Sequence, residues 1–180
     1  MREANGAELV HDSALSAEEL TLLRLRAKRY ARAALNEASD AIEIVVFRRG
    51  SMRYALRLAM LREVRPLRAT CCIPGASACV FGIVHFRGEI LSLHDIAAFM
   101  SEGADPADAA WVIVVESDGE RMGLLADEVL DIELCAAMEI LPLPVSFGNR
   151  GDICDGLLPH GALLLSAPRM FRCDELFFAF

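Results

Sequence analysis

The residues of this 180-residue chain with the strongest claim to chemistry are six cysteines and four histidines. Cys71, Cys72, Cys79 and His85 lie in one stretch, and thiolates with an imidazole are what a zinc ion or a redox couple would use. The spacing argues against it. No two cysteines form C-x-x-C, and a vicinal pair followed by Cys79 matches no common zinc pattern. The surroundings are also apolar, and free cysteine behaves as a small hydrophobe that favours the interior. A metal- or redox-responsive domain therefore stands as the alternative, with no metal and no cofactor expected. His94-Asp95 is the most enzyme-like pair. Neighbours on a strand face opposite ways, so the two would not form a dyad; Asp95 is better placed as the cap of a helix beginning near Ile96. Asp127-Glu128 has no companion ligands and reads as turn or strand-end charge. None of the histidines His11, His85, His94 and His160 sits in H-E-x-x-H or beside a G-x-S-x-G elbow, and no glycine-rich phosphate loop occurs.

The elements that would hold these residues belong to a folded domain. Hydrophobic residues make up 54% and charged residues 24%, which a disordered chain would not combine. The net charge of −8 speaks against nucleic acid, whose binders neutralise phosphate with a basic face. Met1 to Ser13 is mixed and partly charged, unlike a secretory signal, so a cytoplasmic protein with reduced thiols is expected. Ala69 to Phe86 lacks Asp, Glu, Lys and Arg, but Pro74, Gly75 and Gly82 rule out a lipid-spanning helix there. No direct membrane insertion is expected.

Residues 1–40 differ from the rest. Ser16 and Glu19 fit a capping box, and Leu20, Leu23, Ala27, Tyr30 and Ala34 form one helical stripe. This predicts an N-terminal extension with one helix, docked on its own domain or serving a partner. From Ala41 the period becomes two. Ile42, Ile44 and Val46 predict one strand, and Tyr54, Leu56, Leu58 and Met60 a second, across a turn at Arg48 to Ser51. Leu61 to Arg65 continues extended until Pro66. Further hairpins are expected around Arg87-Gly88, with Gly88 taking a positive φ, around Ser117 to Arg121, and around Pro159 to Gly161. Val129 to Leu134 is another strand, Leu141 to Pro144 an extended connector, and Pro168 to Phe180 a short amphipathic helix. About nine or ten short strands with tight turns argue for one or two small barrels.

The order of these segments carries a resemblance. Gly82-Ile-Val-His-Phe-Arg-Gly-Glu-Ile-Leu-Ser-Leu-His-Asp95 resembles the signature of CheW-type chemotaxis coupling proteins. Phe47 to Tyr54 with Leu61-Arg-Glu-Val-Arg65 resembles that family's opening. Trp111 to Glu116, Gly123 to Val129 and Leu141-Pro-Leu-Pro144 resemble its second half. The likeness spans residues 41–180. Ser92 stands where the family usually has proline, and His85 where asparagine is common. The resemblance implies a mostly β fold of two SH3-like five-stranded barrels sharing a core, with no catalysis. It implies a scaffold joining the cytoplasmic hairpin tip of chemoreceptors to the regulatory domain of a histidine kinase. By position it assigns Leu61, Glu63, Val64, Arg87 and Gly88 to partner binding. A related adaptor in twitching motility or surface sensing fits equally. Two plainer roles compete within this set: Arg87 bracing Glu63 inside the fold, and Leu61 or Val64 packing inward.

Overall fold

Ten strands follow one another from Ala41, as the turn signals require. The computed structural model describes residues 41–68 and 70–177. The helix expected over residues 16–34 lies outside them, as do the last three residues of the expected C-terminal helix. The strands are β1 (Ala41–Arg49), β2 (Met52–Arg57), β3 (Leu61–Pro66), β4 (Val80–Phe86), β5 (Glu89–His94), β6 (Trp111–Ser117), β7 (Glu120–Ala126), β8 (Glu128–Ala136), β9 (Cys154–Leu157) and β10 (Leu163–Leu165). They form two five-stranded sheets, ordered β8-β1-β2-β10-β9 and β3-β6-β7-β5-β4. The second sheet is inserted between β2 and β8 of the first. The mostly β architecture of two five-stranded units expected from the sequence is therefore the observed one.

Alternation along the strands feeds three apolar clusters. Val45 and Phe47 of β1, Tyr54 and Leu56 of β2, Ile113 and Val115 of β6, and Met122 and Leu124 of β7 meet in a core shared by both sheets. The opposite faces fill the interior of each unit. Ile44, Val46, Ala55 and Leu164 pack in the first, and Val84, Phe86, Leu91, Val112, Val114 and Leu125 in the second. Central strands are thus buried on both sides, which is why their sequences run nearly continuously apolar. Burial of each large apolar side chain supplies roughly 1.5–3 kcal/mol.

Two local expectations are corrected. The second strand stops at Arg57 rather than Met60; Leu58–Met60 is a 3-10 turn that carries the chain from one sheet to the other. Its Leu58 and Met60 pack partly buried on the shared core, so their apolar character did not signal a strand. The C-terminal helix is split into α2 (Ala167–Phe171) and α3 (Asp174–Phe177), following α1 (Ile96–Phe99). Met170 and Leu176 are both buried. Six positions apart, they would point about 120° from each other on one continuous helix. Breaking the helix lets both enter the core. Val145–Ile153, which follows the Leu141–Pro144 connector, forms 3-10 turns broken at Gly148. The connector before it is extended as expected, and Leu141 exchanges two 2.8 Å backbone hydrogen bonds with Leu157. No helix among the described residues is long and apolar enough to cross a membrane.

Candidate functional site

The hairpin of β4 and β5 places Arg87 at its tip. Arg87 and Gly88 both have positive φ, +49° and +91°, as a type I′ turn demands. The sequence assigned that conformation to glycine alone. Arginine in this region costs about 1 kcal/mol, so contacts elsewhere must hold the turn. Two are present. The Arg87 guanidinium donates to Glu63 on β3 at 2.5 Å, and it lies 5.5 Å from the Phe86 ring centroid. Arg65, also on β3, approaches the same ring at 5.6 Å. Strands β3 and β4 are the two edges of their sheet, so these contacts bridge the edges and close the second unit into a barrel.

The charges nearby continue around the sheet. Arg62 donates to Glu116 at 2.6 Å, Arg121 donates to Glu116 at 2.6 Å, and Arg121 reaches Glu89 at 3.0 Å. These residues belong to β3, β6, β7 and β5, adjacent in the sheet order. With Arg87 and Glu63 they make a belt of alternating sign around one side of the barrel. Hydrogen bonds from Arg62 and then Arg121 lower the Glu116 pKa, and the bond to Glu116 raises that of Arg121. Exposed pairs of this kind add little stability; their value is a fixed charge pattern. Ile90, on the same hairpin, is 74% exposed, as apolar a point as an interface centre needs.

The expected site residues divide accordingly. Arg87, Gly88 and Glu63 come together at this tip. Leu61 and Val64 are both half-buried and pack against the shared core, flanking a register shift between Leu61 and Glu63. Neither points cleanly inward or outward. The intramolecular brace between Arg87 and Glu63 exists, and Arg87 remains 74% exposed while making it.

Sequence reasoning passed over a second charged cluster. Arg49 is fully buried. Its Nε and Nη2 donate to the two Asp95 carboxylate oxygens at 3.1 and 2.6 Å, and its Nη1 donates to Asp127 at 2.7 Å and to the Asp105 carbonyl at 2.9 Å. Burial alone would lower the Arg49 pKa, but the hydrogen bonds and charges of Asp95 and Asp127 outweigh it and raise it. Asp127 also accepts from Arg48 at 3.0 Å and from the Gly50 amide at 2.8 Å. Asp95 caps α1 through the Ala97 amide, as expected. Asp127 sits between the end of β7 and the start of β8, the strand-end position expected, with its side chain 3% exposed. The cluster ties β1 of the first sheet to the end of β5 and the β7–β8 junction. The only signal was two arginines before a glycine, which read as turn.

His94 is buried and does not face Asp95 as a dyad would. Its Nδ1 lies 3.2 Å from the Leu176 carbonyl and its Nε2 3.0 Å from the Ser92 hydroxyl. Burial pushes its pKa down to about 4, so the ring is neutral, donating to Leu176 and accepting from Ser92. Cys79 is buried while Cys71 and Cys72 are exposed. Among the described residues no three His, Cys, Asp or Glu side chains gather as a metal would require.

Two five-stranded β units sharing one core define the fold class of this chain. The chain belongs to the CheW-like domain family, whose model matches residues 43–171. It is 30% identical over 103 residues to chemotaxis protein CheW of Rhizobium meliloti, covering 57% of this chain and 66% of that protein, just under two thirds of its length. It is 30% identical over 116 residues to a probable chemotaxis protein CheW of Rhizobium etli, covering 64% of this chain and 74% of that one. Protein FrzA of Myxococcus xanthus is 27% identical over 115 residues, covering 63% and 72%. The fold matches the crystal structure of scaffolding protein TtCheW from Thermoanaerobacter tengcongensis, with a TM-score of 0.65 and 22% identity, covering 74% of this chain and 94% of that one.

Proposed function

We propose that the protein is a non-catalytic cytoplasmic adaptor that couples chemoreceptor cytoplasmic tips to the regulatory domain of a CheA-type histidine kinase. The observation that carries this reading is the exposed β4–β5 hairpin, with Ile90 beside a fixed belt of paired charges. Such a surface gives an apolar centre and a charged rim, the anatomy of a protein interface. Membership of the CheW-like family supports the same role. An adaptor of this kind adds no chemical step. It holds two partners in a set geometry, and receptor movement then changes kinase output by shifting populations.

Arg87 serves both the fold and the partner. Its guanidinium presents a planar donor fork, and one side-chain pair with Glu63 leaves donors free for a partner carboxylate. The test is titration of the kinase regulatory domain with the wild type and with Arg87→Glu at equal helicity and melting temperature. A loss of about tenfold or more in affinity supports the contact; unchanged affinity refutes it. A second reading, an adaptor of a non-flagellar pathway, is favoured by the similarity to protein FrzA. It calls for the same surface and differs only in which kinase and receptors bind.

A further inference from the structure

The six cysteines do not share one environment. Cys79, Cys135 and Cys154 are buried, and Cys173 is half-buried; Cys71 and Cys72 alone are exposed, and they are adjacent. Cys71 also anchors the strap of residues 70–79 to the outer edge of β4. Its amide donates to the Ile83 carbonyl at 3.0 Å, and its carbonyl accepts from the Ile83 amide at 2.9 Å. This is the strap's only strand-like pairing among the described residues. The approach is close enough that a Cβ on Gly82 would stand 2.6 Å from the Cys71 carbonyl oxygen.

We propose that Cys71 and Cys72 form a dithiol site that exchanges with small aliphatic disulfides, and that closing the pair unlatches the strap from β4. In the first step one cysteine thiolate attacks a sulfur of the disulfide. A mixed disulfide forms, the original S–S bond breaks, and one small thiolate leaves. In the second step the neighbouring thiolate attacks the cysteine sulfur of the mixed disulfide, and the second small thiolate leaves. The protein dithiol has given two electrons and two protons, and one disulfide has become two thiols.

The coupling to the strap follows from covalent geometry. Consecutive Cα atoms stand about 3.8 Å apart across a trans peptide, nearer than the roughly 4.4–6.8 Å that an ordinary disulfide spans. A bridge between neighbours closes an eight-membered ring that contains the peptide joining them, and bringing the two sulfurs to bonding distance with a disulfide torsion of about 90° turns that peptide out of its strand-like orientation. The carbonyl of that peptide is the Cys71 carbonyl, the acceptor of the Ile83 amide. One rotation closes the ring and breaks that half of the latch. Selectivity follows from burial. Desolvation pushes the Cys154 thiol up to about 12 and raises those of Cys135 and Cys173, which withholds their thiolates.

The test uses the full chain and oxidised glutathione, with intact mass, peptide mapping and amide hydrogen exchange. The expected result is modification at Cys71 and Cys72 first, ending in loss of two hydrogens within the peptide that holds both. Exchange at the Ile83 amide then speeds up by roughly tenfold. Cys72→Ser is expected to stop at the mixed disulfide on Cys71 and to keep Ile83 protected. Initial modification at any other cysteine overturns the proposal. So does a closed Cys71–Cys72 bridge that leaves Ile83 exchange unchanged.

Discussion

Replacing Arg49 by methionine keeps much of its volume and removes its charge. The structure sets the cost. The wild-type guanidinium makes two hydrogen bonds to Asp95, one to Asp127 and one to the Asp105 carbonyl, with no exposure of its own. The carboxylates left behind are 7% and 3% exposed. Asp127 retains Arg48 and the Gly50 amide, and Asp95 retains the Ala97 amide. Removing one partner of a buried pair typically costs about 3–5 kcal/mol, because the other charge stays buried without compensation. Total stabilities are only about 5–15 kcal/mol, so the loss would be a large share. In urea, with a slope of about 2 kcal/mol/M, the midpoint should fall by roughly 1.5–2.5 M with an unchanged slope. The neighbouring substitution Arg48→Met removes a cation whose side chain is 41% exposed and should cost at most about 1 kcal/mol. Equal midpoints for the two variants, or an Arg49→Met loss below about 1 kcal/mol, would refute the idea that Arg49 holds the sheets together.

Other consequences can be measured separately. Neutral His94, with its pKa near 4 against an ordinary 6.5, favours the folded state at neutral pH. As pH falls from 6.5 to 4 the unfolded chain takes up the proton first, so about 3 kcal/mol of stability should be lost across that window. His94→Gln should flatten that limb of the urea-midpoint profile. The Tyr54 hydroxyl is buried with no hydrogen-bond partner among the described residues, so Tyr54→Phe should raise stability by about 1 kcal/mol in urea titration. Ile90→Asp should leave the melting temperature within error and weaken kinase-domain binding by about tenfold in calorimetric titration. Gly82→Ala sets a methyl against the Cys71 carbonyl and should expose the Ile83 amide to hydrogen exchange without any oxidant.

Much of the architecture is visible in the chain itself. The Arg87-Gly88 and Asp118-Gly119 pairs sit between apolar runs, and both form turns in which each central residue has positive φ. The pairing of Glu63 with Arg87 could be anticipated because a tip arginine needs a carboxylate on the facing edge. Arg49 could not. Two arginines before a glycine look like a solvated turn, and only the inserted second sheet brings Asp95 and Asp127 to them. Their separations in sequence are 46 and 78 residues. The split of the C-terminal helix was hidden for a related reason. Apolar residues six apart fit one helix loosely, and the shape of the core decided otherwise. Residues Leu58 and Met60 kept the strand period while serving a crossing between sheets, so periodicity could not locate the end of β2.

A surface that joins two partners is tested most directly by sedimentation of the full chain with the kinase regulatory domain and a receptor-tip fragment. The predicted result is a single boundary containing all three proteins, faster than either binary mixture. Sedimentation of this chain unchanged by both partners, or displacement of one partner by the other, would contradict it.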